Sequence, residues 1–389
     1  MSNDRNAQEL LKWGLANSGS TGVASFASQS VEQISADIEA GRRPDLADPN
    51  LYNAIMGKSE AQMMAEELSV AIDTSRTLPD RMTALDNFEM LIEQIDNANN
   101  MTSMKMWSPI ISLLSAPEAE IQTAAAWIIG TAVQNNDKAQ MAVLDFHPVA
   151  ALLDLLHSHV DEVRAKAMYA LSGLLKHNPA AMHQFDQLDG WNMLNMALVD
   201  PNLGLRRKTA FLINALLLQD PNSLDSQPAS TSTATAIAPV SFTPPTPTAP
   251  PAPLERGPET LRTSIPHPNV ARALVQSNII NTLISSLLPA HTLPDTLSPP
   301  PTGANGDSDA RLDLDFAEKS AAAILTFTTK LPPSPSHPLD PTTISLFKAL
   351  LVQLQAKPLD SSDPASTRWA ELGIHAHDFD QFKHKIHAL

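Results

Sequence analysis

One pattern of residues recurs in this chain at intervals of 42 positions, and it constrains the fold more than any other feature. Each copy opens on an aliphatic residue and carries an aromatic residue six positions later. The copies run over residues 121–129, 163–171 and 205–213, and the units close on the polar pairs Asn135-Asn136, His177-Asn178 and Gln219-Asp220. Within each copy the apolar residues follow helical spacing. The pattern therefore predicts a tandem array of helical units.

A period near forty residues that is built from helices is typical of armadillo and HEAT repeats. One such unit cannot bury its apolar face alone, so neighbouring units stack into a solenoid that offers an extended binding surface. We therefore predict an all-α, armadillo/HEAT-like helical solenoid. Within one unit the pattern predicts three helices, over 138–146, 148–158 and 161–177.

The composition divides the chain into four segments. Residues 1–60 are predicted to be a largely flexible arm, and residues 61–225 to hold armadillo-like repeats. Prolines crowd residues 226–265, which predicts a disordered insertion. Helical pattern returns over 266–389 between further Pro-rich loops, so the array is expected to resume there.

Charge and composition argue against several classes of function. The 389 residues carry a formal net charge of −16 and no cysteine. The negative charge makes nucleic acid and anionic membranes unexpected partners. The lack of cysteine removes thiolate nucleophiles and cysteine–zinc sites and fits a reducing compartment. The polar start lacks the apolar core of a signal peptide, and no apolar run is long enough to span a membrane, so a cytoplasmic location is expected.

No motif for catalysis, cofactor binding or metal binding stands out. Phosphate-binding loops, dinucleotide fingerprints and nucleophile elbows are missing from the sequence. The tail histidines His375 and His377 have a spacing that places them on different faces of a helix, so they are expected to be solvated. We predict a protein that is not an enzyme and that has no catalytic residue, no cofactor and no metal site.

Two stretches are candidates for binding a partner. A helical stretch whose apolar stripe includes Phe88 and Ile95 ends on the turn-favouring run 96–100, where the small Ala98 would allow a partner to approach closely. A helix end followed by a loop is the alternative. The basic triplet 206–208 opens a helix, where positive charge opposes the helix dipole, and this indicates an acidic partner. A solvated polar face is the alternative for the triplet.

Several motifs together resemble one family of proteins. Segments 86–93, 96–100 and 128–136, together with Trp107, are similar to the armadillo-type nucleotide exchange factors of the seventy-kilodalton heat-shock chaperone. Residues 8–18 resemble the start of the fungal cytosolic members. The resemblance implies a co-chaperone that binds the nucleotide-binding domain of a cytosolic chaperone, accelerates the release of ADP and promotes the release of the client.

The resemblance also implies functional residues. A flexible N-terminal segment that mimics a client is expected, and the residues that suit this role are Leu10, Leu11, Trp13 and Leu15. The predicted chaperone-binding groove consists of Asn97, Ala98, Asn99, Asn100, Asn135, Arg164, Arg207 and Lys208. The protein is expected to be a monomer.

An armadillo adaptor that holds a different protein or peptide in its groove is the alternative function. Adaptors of the importin type carry regular rows of tryptophan and asparagine along the groove. Here Trp127 is followed by Tyr169 and Phe211 at the equivalent positions. The change of residue type argues against such a row.

Overall fold

The computed structural model describes residues 58–226, 265–293, 313–332, 339–358 and 366–389, and these ranges are helical without a strand. The helices before the Pro-rich segment are α1 (Glu60–Ile72), α2 (Leu78–Ile92), α3 (Ile95–Asn100), α4 (Trp107–Ser112), α5 (Ala119–Val133), α6 (Asp137–Leu144), α7 (Pro148–Leu155), α8 (Asp161–Leu175), α9 (Pro179–Gln187), α10 (Gly190–Leu198) and α11 (Leu203–Gln219). The helices after it are α12 (Val270–Gln276), α13 (Ile279–Ser285), α14 (Leu314–Thr329), α15 (Pro341–Gln355), α16 (Arg368–Glu371) and α17 (Ala376–Ala388).

The long helices α2, α5, α8, α11 and α14 stack side by side in the order of the chain, and shorter helices pack along one side of the stack. The predicted all-α, armadillo/HEAT-like solenoid is confirmed. The three helices predicted within one unit are α6, α7 and α8. They begin within one residue of the predicted positions and end two or three residues earlier.

Neighbouring long helices run parallel and in register. At the amino ends of α8 and α11, Asn202 Nδ2 donates to Asp161 Oδ2 over 2.9 Å. At their carboxyl ends, the His177 N–H donates to Gln219 Oε1 over 2.6 Å. The second pair is 42 residues apart in sequence, so the sequence period is also the spatial step from one helix to the next.

The polar pair that closes each unit ends one helix and begins another. Asn135 and His177 adopt the left-handed conformation, with φ of 52° and 56°, and this turns the chain out of the long helix. Asn136 and Asn178 follow them, and each side-chain oxygen accepts from the backbone N–H three residues later. The second residue of these two pairs is therefore an N-cap.

Asp220 occupies the position in the third unit that the N-cap asparagines hold in the other two, although the Pro-rich segment separates it from the next helix. Its buried carboxylate still accepts from the Val270 N–H, over 2.7 Å, at the start of α12. Nearby, Asn269 Nδ2 donates to the Ser223 carbonyl over 2.8 Å. The N-cap of α12 is Asn269, whose side-chain oxygen accepts from the Arg272 N–H over 2.9 Å, and the Asp220 contact adds a second bond to this helix start across 50 residues of chain.

The residues on either side of the Pro-rich segment thus form one unit, which we call the stem and define as residues 220–226 and 265–272. Arg272 Nη2 donates to the Ser226 carbonyl, at the last described residue before the gap. Beyond the stem, α14 packs against α11 as α11 packs against α8. The stem holds both ends of segment 227–264 at one place on the array.

The structure corrects the reading of residues 85–100. Helix α2 ends at Ile92 and residues 95–100 form the separate helix α3, where a helix end and turn-favouring residues were predicted. The break in helical spacing turns Ile95 out of the apolar stripe, and its side chain is 59% exposed. The predicted client-mimic residues Leu10, Leu11, Trp13 and Leu15, and nearly all of 226–265, lie outside the described residues. The four domain boundaries stay predictions.

Candidate functional site

The side of α5, α8 and α11 that the shorter helices leave open forms one surface, which we call the long-helix face. Trp127, Tyr169 and Phe211 lie in line across it because they are 42 residues apart on parallel helices. Trp127 and Tyr169 are half-buried, and Phe211 is 51% exposed. We call these three residues the aromatic row. Exposed aromatic rings aligned on one surface are typical of protein interaction sites.

A cation lies within the aromatic row. Lys166 Nζ is 3.5 Å from the centroid of the Trp127 ring and 5.9 Å from that of Tyr169, within the range of cation–π attraction. Burial lowers the pKa of Lys166, and the nearby charge of Lys208 lowers it further, whereas Glu89 raises it. The centre of the face therefore carries a partly dehydrated ammonium group that two rings hold in place.

Gly130 determines how closely the aromatic row approaches the helix stack. A Cβ atom at this position would lie 2.4 Å from Tyr169 Cδ1 and 3.2 Å from the Ala170 Cα. The Tyr169 ring therefore rests directly against the backbone of α5. Any larger residue would push the ring outward and separate the two helices.

Two adjoining cavities extend the face toward the carboxyl ends of the helices. A cavity of about 580 Å³ is lined by Asn135, His177 and Gln219, among others. A larger cavity of about 860 Å³ lies between α14 and α17. Leu218, which is 68% exposed, lines both of them, so the depression continues from α5 to the last helix.

The predicted groove residues fall into two separate groups. Those near the carboxyl ends of α2 and α5 are Asn97, Ala98, Asn99, Asn100 and Asn135, and those near the amino ends of α8 and α11 are Arg164, Arg207 and Lys208. A helix of fifteen residues is about 22 Å long. The two groups therefore lie at opposite edges of the long-helix face.

Several of these residues are engaged within the fold. Asn97 Nδ2 donates to the Leu91 carbonyl over 2.8 Å, and Ala98 is 1% exposed. An arginine at position 98 would enter the core, so the small size of this residue serves packing. Asn99 is half-buried, while Asn100 and Asn135 are exposed.

Arg164 is buried and has a structural role. Its Nε and Nη2 donate to the two carboxylate oxygens of Asp200 over 2.8 and 2.9 Å, and its Nη1 donates to the Ser158 carbonyl over 2.8 Å. The hydrogen bond to Asp200 raises the pKa of Arg164 against the effect of burial. Gln122 and Arg206 occupy the same position in the adjacent units, and each donates to the carbonyl six residues earlier.

Two of the three charges in the basic triplet are thus accounted for by internal contacts. Arg206 is buried, and Arg207 Nε donates to Asp313 Oδ1 over 3.0 Å at the start of α14. This hydrogen bond raises the pKa of Arg207. Only Lys208 of the triplet is exposed.

The sequence pattern did not place Lys166 or the aromatic row among the candidate binding residues. The recurrence of an aromatic residue at the 42-residue period was the available signal for the row. The sequence carried no such signal for Lys166, because this residue stands out only through its contact with an aromatic ring of the preceding unit. Among the described residues, no cluster of histidines and carboxylates is arranged to hold a metal ion, and no helix has the length and hydropathy to cross a membrane.

A helical-repeat array with one open face of aligned aromatic and charged side chains defines a class of proteins that hold another macromolecule. A family model described as "Nucleotide exchange factor Fes1" matches residues 7–101. A second, described as "SIL1/FES1/HPBP1 C-terminal domain", matches residues 97–236.

Relatives that carry the name "Hsp70 nucleotide exchange factor FES1" agree with these matches. The relative from Kluyveromyces lactis is 34% identical over 56% of this chain and 72% of its own length. That from Coccidioides immitis is 36% identical over 48% of this chain and 84% of its own length. That from Cryptococcus neoformans is 40% identical over 47% of this chain, but the chain spans only about half, 51%, of that relative. The chain belongs to the Fes1 family of nucleotide exchange factors.

Solved structures are similar to this chain in fold alone. An engineered protein with a TM-score of 0.50 is 11% identical and matches over 83% of this chain and 98% of its own length. A designed armadillo repeat protein with a TM-score of 0.49 is 13% identical and matches over 85% of this chain.

Proposed function

We propose that this chain is a nucleotide exchange factor and co-chaperone of a cytosolic 70-kDa heat-shock chaperone, and that the nucleotide-binding domain of the chaperone docks on the long-helix face. Membership of the Fes1 family carries this proposal. The aromatic row lies inside the matched range and supplies exposed apolar area at the centre of the face. The protein would act as a monomer, without a cofactor and without a nucleic-acid partner.

The proposed mechanism is one of linked binding equilibria. A rigid solenoid that binds one lobe of the nucleotide-binding domain favours the open form of the nucleotide cleft, and the open form holds ADP weakly. By linkage, the factor weakens ADP binding by the same ratio by which ADP weakens binding of the factor. No bond is made or broken by this chain, so the mechanism requires no catalytic residue.

The release of labelled ADP from a purified 70-kDa chaperone, with and without this protein, tests the proposal. We expect release to become faster as the protein is added, up to a plateau when the chaperone is saturated. Binding to the chaperone without faster release would favour the alternative of an armadillo adaptor. If the protein neither binds the chaperone nor accelerates ADP release, the proposed function is wrong.

Among the predicted groove residues, Asn99, Asn100, Asn135, Arg207 and Lys208 are proposed as chaperone contacts because their side chains are at least partly accessible. Ala98, Asn97 and Arg164 would support this surface from within the fold. The proposed contacts thus flank the aromatic row on both edges of the long-helix face.

The N-terminal segment is proposed to act on the client. Replacing Leu10, Leu11 and Trp13 by serine is expected to leave ADP release unchanged and to slow the release of a bound client from the chaperone. A short apolar segment tethered to the docked solenoid has an effective concentration on the order of millimolar, which is enough for a weak peptide to compete with the client. Client release is measured by the loss of fluorescence polarisation of a labelled peptide.

The melting temperature of the same triple variant is the control for this prediction. If the apolar cluster packed on the first helices, its loss would lower the melting temperature and exchange activity together, at about 1.5–3 kcal/mol for each buried side chain. A lower melting temperature with normal client release would contradict the proposed role.

A further inference from the structure

Lys166 and Lys208 are cations that form no ion pair in the described part of the chain. They are 42 residues apart and occupy the same position on α8 and α11. Other basic side chains on these helices are paired, Arg164 with Asp161 and Asp200 and Arg207 with Asp313. No ion pair among the described residues includes Lys166 or Lys208. Within the described residues, no carboxylate therefore neutralises these two charges through an ion pair.

The two lysines differ in how they are held. The Trp127 ring fixes Lys166, whose ammonium lies 3.5 Å from the ring centroid. Lys208 is exposed on the next helix and acts on Lys166 through its charge. Glu89 faces Lys166 from α2, but its carboxylate accepts a hydrogen bond from the Thr131 hydroxyl over 2.7 Å and is 6% exposed. Glu89 is thus engaged within the fold and leaves the outer side of Lys166 open.

We infer that Lys166 and Lys208 together bind a carboxylate of the protein partner, beside the aromatic row, and that this contact helps to determine which partner docks. The inference rests on the proposed function, because the partner in question is the nucleotide-binding domain of the chaperone. The carboxylate would interact with the fixed ammonium of Lys166 and with the mobile one of Lys208. The neighbouring rings would exclude water from the contact.

A protein carboxylate fits this site better than a nucleic acid does. The whole chain carries a net charge of −16, which disfavours the approach of a polyanion. Glu120 and Glu162 are exposed at the amino ends of α5 and α8, on one side of the lysine pair. Binding of a phosphate backbone depends on several cations placed along its path. An isolated pair flanked by carboxylates suits one acidic side chain.

The arrangement has distinct consequences for the two lysines. Because the ring already restricts Lys166, little side-chain freedom is lost when the carboxylate binds. Removing Lys166 should therefore increase the rate at which the complex dissociates. Lys208 is an exposed charge at the rim of the site. Reversing this charge should lower the association rate and change the salt dependence of binding.

The test compares the affinity of the full chain and its variants for the purified nucleotide-binding domain of a 70-kDa chaperone. We expect Lys166→Glu to weaken binding about 30-fold or more, and Lys166→Met and Lys208→Glu to weaken it roughly tenfold. Lys166→Arg keeps the charge and the ring contact and should retain most of the affinity. The matched control is Lys348→Glu, which makes the same charge change at an exposed position on α15.

Stability measurements separate binding from folding. Lys166→Met removes a half-buried charge that forms no ion pair with a described residue, so the melting temperature of this variant should equal or exceed that of the wild type. Equal loss of affinity in Lys166→Arg and Lys166→Met would show that the residue serves packing only, and would overturn the inference. Lysine-dependent binding of single-stranded RNA would overturn the assignment of a carboxylate.

Failure of the inference and failure of the proposed function give different results. If the wild type binds the chaperone and accelerates ADP release while the lysine variants bind equally well, the inference alone is wrong. If the wild type neither binds nor accelerates release, both are wrong.

Discussion

Replacing Asp200 by alanine is expected to lower the free energy of unfolding by about 3 kcal/mol, because it leaves the buried guanidinium of Arg164 with only the exposed carboxylate of Asp161 as its counter-charge. The side chains of Arg164 and Asp200 are 9% and 13% exposed, and two hydrogen bonds join them. Asp200 also accepts from the Asn202 N–H over 2.7 Å at the start of α11. The change therefore loosens the connection between α8 and α11. Urea denaturation followed by circular dichroism measures the effect.

Two further variants control this prediction. Asp154 is exposed on α7 and forms no ion pair among the described residues, so Asp154→Ala should stay within about 0.5 kcal/mol of the wild type. The double variant Arg164→Met with Asp200→Leu also removes the poorly compensated charge of Arg164 and should recover much of the lost stability. An Asp200→Ala protein as stable as the Asp154→Ala control would show that Arg164 is well solvated, against the structure.

Replacing Phe211 by serine is expected to weaken chaperone binding by about 30-fold, the effect of losing an aromatic residue at the centre of an interface. Half of the Phe211 side chain is exposed in the free protein, at 51%, so stability should change little. The measurement is the affinity for the nucleotide-binding domain, together with the melting temperature. This prediction depends on the proposed docking surface and does not depend on the lysine pair.

Val352 provides the matched control for this variant. Its side chain is 69% exposed on α15, which packs against α13, α16 and α17 rather than within the stack of long helices. Val352→Ser should therefore bind the chaperone as the wild type does. If Phe211→Ser also retained full affinity, the partner would not cover the aromatic row, and the proposed docking surface would be wrong.

The repeat architecture was predictable because its information is local and is repeated. The 42-residue period, the apolar spacing within each copy and the closing polar pairs each report one helix or one helix end. Asn136 and Asn178 illustrate this, since an asparagine before a helical run is an N-cap in most contexts. The stacking of α5, α8 and α11 then follows from the need of each unit to bury its apolar side.

The candidate binding residues were less predictable, because the direction in which a side chain points changes with small differences in its position along the helix. Arg164 and Lys166 are two positions apart on α8, so they point to different sides of the helix. Arg164 turns to Asp200 and the core, while Lys166 turns to the Trp127 ring. Residue type alone does not separate the two. Their different contacts depend on the neighbouring helices, which no local pattern in the sequence describes.

Ala98 was also difficult to place from the sequence, because it is a predicted surface residue that lies in the core. A small residue suits a surface that a partner approaches and equally suits a crowded core. The sequence around it is polar, which favoured the first interpretation. The side chain is 1% exposed because α3 packs against α1, α2, α5 and α6, and no pattern within residues 96–100 reveals those contacts.

The stem has a practical consequence for work with this protein. The residues on the two sides of segment 227–264 are tied together by the hydrogen bonds of Asp220, Asn269 and Arg272. The entropy of closing a loop grows only slowly with its length. A fluorescent reporter domain whose own termini lie close together can therefore be placed between Ser226 and Ile265 with α11 and α14 still in contact. Such a fusion would follow the docking of the chaperone from inside the array and leave both chain termini unmodified.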